Sequence, residues 1–455
     1  MTDDAQHGRD WFLSRLKRHL SELAVLAGPI IVSRLAVLLI VIVDAMMVGH
    51  AGTTELAYLN LGNSIVTNLL VTGLGLLMGT LVLSSNAFGA GDLGECGRVW
   101  RRSLRYAVGL GLIGVAVTYN GPGLMRLLGQ GDGLAAGAGG VSHILGLGVP
   151  AVLLYITTNF FLESIRRPLP GMMLMLMANV LNVGFNWVLV YGWGPVPPMG
   201  AAGAAWATTA VRYILATSII IYVWRLSDRD ALGIRGPLPD DPAGAKRQRR
   251  IGYATGLGVG AETTSFTAMV VFAGWLGELS AAAFGMAFST LAFFFMGAIG
   301  VGAATTVRVG IAYGRRDGPD MALAGWTGLG VNTVLTSCCA LFIYHQVDLI
   351  VSLFTTDPPL VALAATLIAI VAYVLVLDGG QAVMGQALRG RRDVWVPMSF
   401  QTVSYVCVMI PLGWYLSFAK DWGVEGLVWA IFIASIVSLI LLAGRFHWLA
   451  RRPFG

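Results

Sequence analysis

Three carboxylic acids interrupt long apolar stretches of the chain: Asp44, Glu262 and Asp378. A charged side chain at the centre of a bilayer costs about 2.5–3.5 kcal/mol on insertion scales, so such residues usually serve a function. At about 1.5 Å per helical residue, Glu262 lies about 18 Å from Arg250, and Asp378 lies about 16 Å from Arg389. Both acids therefore reach a similar depth. Because two close carboxylates at low dielectric cannot both stay ionised alone, the pair is predicted to bind a proton or a metal ion, with Na⁺ as the candidate.

Neutral polar residues accompany the pair. Ser265 lies one turn from Glu262, and Gln381 lies one turn from Asp378. Their oxygens would suit Na⁺ better than a bare proton site does. The alternative is that the two acids only hold their helices together by hydrogen bonds. No basic residue is expected at that depth, since Arg308 lies near a helix end, and this favours a mobile cation.

Asp44 is predicted to belong to a second cavity, because it lies only about 10 Å from the outer end of its helix. Asparagines recur at three- and four-residue spacing on two other stretches, which places them on common helix faces. The alternative is that they act as hydrogen-bonding residues between helices. The predicted coupling residues are Glu262, Asp378 and Asp44. The predicted substrate cavity is lined by Asp44, Asn60, Asn63, Asn179, Asn182, Asn186, Ser265 and Gln381.

Composition predicts the elements that position these residues. Of the 455 residues, 56% are hydrophobic and 12% are charged, with a mean hydropathy of +0.73. Soluble domains carry about 25% charged residues. Apolar stretches of about 20 residues, long enough to cross a bilayer as a helix, recur throughout. The twelve predicted spans are 25–48, 57–83, 103–125, 139–162, 171–191, 201–224, 252–275, 279–303, 321–344, 359–386, 394–418 and 424–446.

The basic residues follow this pattern of spans. All 30 Lys and Arg residues except four lie in the N-terminal segment, in the even-to-odd loops or at the C-terminus. Arg126 and Lys420 lie in the opposite loops, and Arg34 and Arg212 lie inside spans, Arg34 being expected to extend to the cytoplasmic interface. The positive-inside rule then places both termini in the cytoplasm. The net charge of +6 is thus assigned to membrane topology, and no nucleic-acid partner is expected.

The two halves of the chain resemble each other. Residues 49–92 align with residues 274–317 at an offset of 225, and residues 166–206 align with residues 389–429 at an offset of 223. Six spans separate equivalent positions, so the halves are parallel repeats. The predicted fold is an all-α polytopic membrane protein with two six-helix lobes related by pseudo-two-fold symmetry. The predicted segments are a cytoplasmic tail (1–24), an N-terminal lobe (25–225), a cytoplasmic linker (226–250), a C-terminal lobe (251–447) and a second tail (448–455).

Several motifs, in this order and spacing, resemble one transporter family. They are VDAMMVGHAGTTELA around Asp44, NAFGAGD at 86–92, NVLNVGFNWVLVYG at 179–192, GAETTSF around Glu262, RVGIAYGRRD at 308–317 and LDGGQAVMGQALRGRRD at 377–393. The chain resembles the MATE (multidrug and toxic compound extrusion) family over nearly its whole length, and its acids look like those of the NorM branch. That branch uses a Glu and an Asp of the C-terminal lobe as its cation site, which corresponds to Glu262 and Asp378.

The resemblance implies a secondary active multidrug efflux antiporter. It would export small organic cations and xenobiotics in exchange for inward H⁺ and/or Na⁺, by alternating access of two lobes. It would act as a monomer in the bacterial inner membrane, with no cofactor besides the coupling ion. The alternative is a lipid-linked oligosaccharide flippase of the same superfamily, which needs a cationic cavity for pyrophosphate. An enzyme is not expected, because the sequence contains no HExxH, GxSxG or Walker motif.

Overall fold

The described part of the chain is helical. The computed structural model describes residues 2–127, 129–236 and 241–452, with side chains from Ser14 onward. Within these ranges, ten helices are long and apolar enough to cross a membrane, and two further pairs of helices qualify when each bent pair is counted as one span. The predicted all-α fold with twelve spans is therefore confirmed, and each half of the chain supplies six of them.

The first half of the chain contains both bent spans. The angle is 66° between α3 (Leu93–Thr118) and α4 (Gly121–Leu127), and 42° between α5 (Asp132–Leu147) and α6 (Val149–Ser164). Pro150 lies in the first turn of α6, where its missing N–H costs no helical hydrogen bond. The helices of this half are α1 (Thr2–Ala51), α2 (Thr53–Gly89), α3 (Leu93–Thr118), α4 (Gly121–Leu127), α5 (Asp132–Leu147), α6 (Val149–Ser164), α7 (Leu169–Tyr191) and α8 (Gly200–Trp224).

The second half contains one span with π-helical turns. Its helices are α9 (Pro242–Trp275), α10 (Glu278–Gly314), α11 (Gly318–His345), α12 (Val347–Ser352), α13 (Pro358–Gly390), α14 (Trp395–Thr402), the π-helix π1 (Val403–Met409), α15 (Ile410–Trp414), the π-helix π2 (Tyr415–Ala419) and α16 (Gly423–Ala450). Within this span, the N–H of Ile410 donates to the Tyr405 carbonyl, five residues earlier. Pro411 follows directly and has no N–H to donate, which favours such a departure from the α-helical ladder.

The chain forms two compact units. We call Val32–Gly256 the N-terminal unit, and Met1–Ile31 with Leu257–Gly455 the C-terminal unit. The N-terminal unit begins at Val32 and the second segment of the C-terminal unit begins at Leu257, whereas the predicted lobes begin at 25 and 251 and stay a prediction. The predicted tail at 1–24 is helical from Thr2, and residues 242–250 of the predicted linker form the first turns of α9. Met1, residues 237–240 of the linker and residues 453–455 of the second tail lie outside the described residues.

Two contacts between helices hold the N-terminal unit together, an aromatic pair with a hydrogen bond and a close backbone approach at a glycine. Trp100 on α3 stacks on Phe161 of α6 with ring centroids 5.5 Å apart, and its Nε1 donates to Thr158 Oγ1 at 3.2 Å. Gly203 on α8 faces the backbone of α7, where a Cβ would lie 2.3 Å from the Leu189 carbonyl oxygen. Only glycine allows that approach, which sets the spacing of α7 and α8.

In the C-terminal unit, a network of charged residues attaches the first part of α1 to α10 and α11. His19 is 1% exposed, and its Nε2 lies 3.0 Å from Asp320 Oδ1 while its Nδ1 lies 2.6 Å from an Arg308 nitrogen. Arg18 also donates to Asp320 at 2.5 Å, and Glu22 pairs with Arg308. Charged side chains of residues 14–31 are thus neutralised by residues almost 300 positions later in the chain.

Candidate cation sites in the two units

Asp378 on α13 is the buried acid of the C-terminal unit. Its side chain is 3% exposed. Three donors meet at its Oδ1: the Tyr405 hydroxyl at 2.7 Å, the Ser435 hydroxyl at 3.0 Å and the Gln381 Nε2 at 3.4 Å. All three are neutral, so hydrogen bonds stabilise the carboxylate without cancelling its charge. An added cation or proton is what such a group can still bind.

Polar side chains continue from Asp378 to a buried guanidinium. Gln381 Oε1 accepts from Gln401 Nε2 at 3.2 Å and from the Ser438 hydroxyl at 3.3 Å, and Gln401 Oε1 accepts from Arg389 at 3.2 Å. The prediction that Gln381 supplies an oxygen to a sodium ion stays a prediction, and no contact of this arrangement supports it. Its oxygen is occupied by two donors, and its amide nitrogen faces Asp378.

Glu262 on α9 lies close to Asp378 in the C-terminal unit. It is half-buried and accepts no hydrogen bond from the described residues. Asp378 and Arg389 are both near enough to act on it electrostatically. The two acids thus lie within electrostatic range of each other. Arg389, whose guanidinium donates to Gln401 Oε1, also lies within electrostatic range of Glu262, which differs from the expectation of no basic residue near the pair. Ser265 is fully buried and donates to the Ala261 carbonyl at 2.8 Å, which leaves its oxygen lone pairs available.

Asp44 on α1 is the buried acid of the N-terminal unit, at 7% exposure. Its Oδ1 accepts from Asn186 Nδ2 at 2.6 Å, and its Oδ2 accepts from the Thr208 hydroxyl at 2.6 Å. Asn182 connects these two donors, because it accepts from Asn186 at 3.1 Å and donates to Thr208 at 3.2 Å. We call Asp44, Asn182, Asn186 and Thr208 the Asp44 cluster. Each carboxylate oxygen of Asp44 is thus oriented by one donor, Oδ1 by a residue of α7 and Oδ2 by a residue of α8.

The remaining predicted cavity residues lie outside the Asp44 cluster. Asn179 donates to the backbone carbonyls of Ala36 at 3.0 Å and Met175 at 2.9 Å, which makes it a contact between α1 and α7. Asn60 is exposed and Asn63 is half-buried, and neither makes a hydrogen bond to the cluster in the described chain. Their prediction as cavity residues has no support from a contact with Asp44.

Arg212 brings a positive charge near Asp44. It lies one turn after Thr208 on α8 and acts electrostatically on Asp44. Its guanidinium donates to the Leu145 carbonyl at 3.2 Å rather than to the carboxylate. Asp44 therefore feels a nearby positive charge but keeps both oxygens on neutral donors.

Four residues of the two sites were missed by the sequence reasoning: Thr208, Gln401, Tyr405 and Ser435. Hydroxyl and amide side chains are common in membrane helices, so their type alone gives no signal. Tyr405 lies in π1, and π-helical turns occur frequently at functional sites. The nearby Pro411 was the available signal for it, since proline inside a helix predicts a local departure from regular geometry.

Each site offers oxygen atoms of the kind that a small cation accepts as ligands. Among the described residues, no group of three or more His, Cys, Asp or Glu side chains converges. A bound Na⁺ would therefore take one or two carboxylates and complete its shell with hydroxyl, amide or water oxygens, ligands that hard cations prefer. A proton would need only one carboxylate.

Comparison with known proteins identifies the family. The MatE family model matches residues 29–188 and 255–415, one block in each half of the chain. The chain belongs to the MATE family. A protein of Caulobacter vibrioides named "Probable multidrug resistance protein NorM" is 36% identical to this MATE protein over 432 residues, which cover 94% of the chain and 92% of the relative. "Multidrug resistance protein PmpM" of Pseudomonas aeruginosa is 30% identical, covering 96% and 93% of the two chains. The predicted resemblance to the NorM branch is confirmed.

Solved MATE structures share the fold. The eukaryotic MATE transporter AtDTX14 matches with a TM-score of 0.86 at 20% identity, over 96% of this chain and 98% of that one. A MATE crystal structure in a bent conformation matches with a TM-score of 0.85 at 19% identity, over 95% of each chain. Members of this family are transporters, so this MATE protein is a multi-pass membrane transporter and not an enzyme.

Proposed function

We propose that this MATE protein is a secondary active antiporter that exports small organic cations and xenobiotics in exchange for inward H⁺ and/or Na⁺. Transport would proceed by alternating access of the two lobes. The protein would act as a monomer in the bacterial inner membrane, with both termini in the cytoplasm. The names of the NorM and PmpM relatives support multidrug export.

The main support for the proposal is that Asp378 is buried and accepts hydrogen bonds only from neutral groups. A carboxylate that is 3% exposed and bonded only to neutral donors keeps a negative charge that must be offset in a low dielectric. The acid Glu262 beside it increases that need, and Arg389 offsets one charge of the two. One negative charge is left for an exchangeable cation.

The coupling follows from this charge balance. A proton or Na⁺ entering from outside would neutralise the remaining charge, and its release to the cytoplasm would restore a carboxylate able to attract an organic cation. One elementary charge moving inward gains about 2.3 kcal/mol per 100 mV of membrane potential. One or two ions per cycle would therefore support roughly tens-fold to thousands-fold accumulation. Asp44 would take part in coupling or substrate binding in the N-terminal unit.

The flippase alternative has little support. A pyrophosphate substrate needs free positive charge inside the protein, and Arg34 and Arg212 are the two basic residues predicted inside spans. Arg34 lies 3.6 Å from the Glu163 carboxylate, and Arg212 donates to the Leu145 carbonyl. Both cations are already engaged, whereas three carboxylates are bonded to neutral donors or to none.

Efflux measurements test the proposal. A fluorescent organic cation is added to everted membrane vesicles, and its uptake is followed. A proton gradient or a Na⁺ gradient is imposed separately to energise the vesicles. The wild type is expected to transport under at least one gradient. The Glu262→Gln/Asp378→Asn double variant keeps hydrogen-bonding groups but removes both charges, so ion-driven transport should be lost at equal protein level.

The matched control is the Thr67→Ser variant, a conservative change at an exposed position of α2. This variant should transport normally. Unchanged pH and Na⁺ responses in the double variant would reject the coupling role of the acidic pair.

A further inference from the structure

Another buried carboxylate lies outside both candidate sites. Glu163, near the end of α6 in the N-terminal unit, is 1% exposed. Its Oε1 accepts from Asn159 Nδ2 at 2.6 Å and lies 3.6 Å from an Arg34 nitrogen, an ion pair too long for a direct hydrogen bond. The Arg34 side chain is 13% exposed and also lies over the Phe160 ring at 5.7 Å, so Arg34 has partners inside the N-terminal unit.

Two buried acceptor atoms of this cluster have no donor. Glu163 Oε2 and Asn159 Oδ1 are both without a hydrogen-bond partner, and so is Arg34 Nε. The first two atoms belong to the same carboxyl and amide groups that form the 2.6 Å bond. Burying an unpaired polar atom is costly in a membrane protein, so a chemical state that pairs the two acceptors is favoured.

One proton supplies that state. A protonated Glu163 carries an O–H on Oε2 that can donate to Asn159 Oδ1, while Asn159 Nδ2 still donates to Oε1. This is the two-bond pairing of a carboxylic acid with a primary amide. The ionised carboxylate, which only accepts, is stabilised instead by the Arg34 guanidinium. A proton and Arg34 are therefore alternative partners of Glu163.

We propose that Glu163 is a proton-exchange site, in which a proton taken from water pairs the carboxyl group with Asn159 and releases Arg34. The proton adds to Oε2, and the Arg34–Glu163 ion pair is the interaction that is lost. Arg34 belongs to α1 and Glu163 to α6, so protonation weakens a contact between these helices. Tyr155 is the other ionisable group near Glu163, and it donates to the Gly171 carbonyl at 3.2 Å.

The internal repeat provides independent support. At the offset of 223, the residue equivalent to Glu163 is Gln386 on α13. Gln386 is 6% exposed, and its Oε1 lies 3.0 Å from the Thr306 hydroxyl that donates to it. The fold therefore accepts a neutral amide, the shape of a protonated glutamate, at this position. At the same offset Ala382 is equivalent to Asn159, and at the offset of 225 that applies to the start of each half Val259 is equivalent to Arg34, so the charged cluster is specific to the N-terminal unit.

Infrared difference spectroscopy of the full-length protein in lipid nanodiscs tests the proposal without any transport assay. Spectra taken between alkaline and acidic buffer contain the carbonyl stretch of each acid that becomes protonated. Glu163→Gln is expected to remove one such band while the bands of Asp44, Glu262 and Asp378 stay. An unchanged set of bands in Glu163→Gln would overturn the proposal.

A second pair of variants decides the competition between the proton and Arg34. Arg34→Gln removes the competing cation, so the Glu163 band should persist at a pH where the wild-type band has vanished. Arg34→Lys keeps the positive charge and should titrate nearly as the wild type does. If Arg34→Gln and Arg34→Lys titrate alike, Arg34 is not the alternative partner. This comparison is conclusive even if Glu163→Gln does not reach the membrane, and neither result depends on which ion drives transport.

Discussion

At the scale of single residues, the sites are built from neutral donors that come from distant parts of the chain. Asp44 is bonded by Asn186 and Thr208, and Asp378 is bonded by Tyr405 and Ser435. Such donors orient a carboxylate and stabilise its ionised form without cancelling its charge. Under the proposed function, the donors would set how tightly each acid holds its cation.

We expect Thr208→Val to weaken the Asp44 cluster. Valine has nearly the shape of threonine but no hydroxyl, so the carboxylate loses one of its two donors. A hydrogen bond to a charged group contributes about 1.5–3 kcal/mol, which corresponds to a roughly ten- to hundredfold change in the concentration of coupling ion that half-saturates transport. The measurement is efflux in vesicles against ion concentration. Thr208→Ser keeps the hydroxyl and serves as the control, and equal ion dependence in both variants would contradict a role for this bond.

The sequence predicted the acids better than their partners. Asp44, Glu262 and Asp378 could be found because a charge in an apolar stretch is conspicuous. Glu163 was missed because it lies where a span was predicted to end, close to Arg166 and Arg167, and there a charged residue is ordinary. Thr208 and Ser435 could not be found, since the rotation of one helix about its axis against another depends on packing that no local pattern encodes.

At the scale of helices, glycine contacts hold the elements that carry the sites. Helices α7 and α8 supply Asn182, Asn186 and Thr208, and Gly203 lets their backbones approach. A side chain there would push α8 away and separate Thr208 from Asp44. The precision of the Asp44 cluster thus depends on a residue that has no side chain.

Gly203→Ala should therefore destabilise the protein. Its Cβ would lie 2.3 Å from the Leu189 carbonyl oxygen, and overpacking of this kind typically costs about 1–3 kcal/mol. Gly184 on α7 is the matched control, because a Cβ there meets nothing within 4 Å. Thermal unfolding in detergent should show a lower midpoint temperature for Gly203→Ala than for the wild type. The midpoint of Gly184→Ala should equal that of the wild type. Equal midpoints would mean that α7 and α8 can move apart at little cost.

Helix existence was predictable and helix shape was not. The length of each apolar stretch predicted all twelve spans. The 66° and 42° bends in the third and fourth spans were not predicted, because hydropathy runs on through a break. The π-helical turns at 403–409 and 415–419 were missed for the same reason, although they decide where Tyr405 points.

At the scale of the whole molecule, the distribution of basic residues predicts the orientation in the membrane. Cysteine introduced in place of Lys420 should react with an impermeant maleimide added to intact cells, and cysteine in place of Arg247 should react only after the membrane is opened. The positive-inside rule gives this expectation, since Arg247 belongs to the most basic internal segment. If the cysteine at position 247 were labelled from outside in intact cells, the prediction of cytoplasmic termini would be contradicted. The same holds if the two cysteines showed each other's expected labelling.

The C-terminal unit combines the first 31 residues of the chain with its second half, which affects the order of events during biosynthesis. Its first segment, residues 1–31, leaves the ribosome before any other part of the unit, and the Asp320 partner of His19 follows 301 residues later. At about 5–20 residues per second, that interval is roughly 15–60 s. During it, the start of α1 must stay next to the membrane with its basic side chains facing water or lipid head groups. A nascent chain that stops before α11 therefore lacks the acidic partner of this helix end.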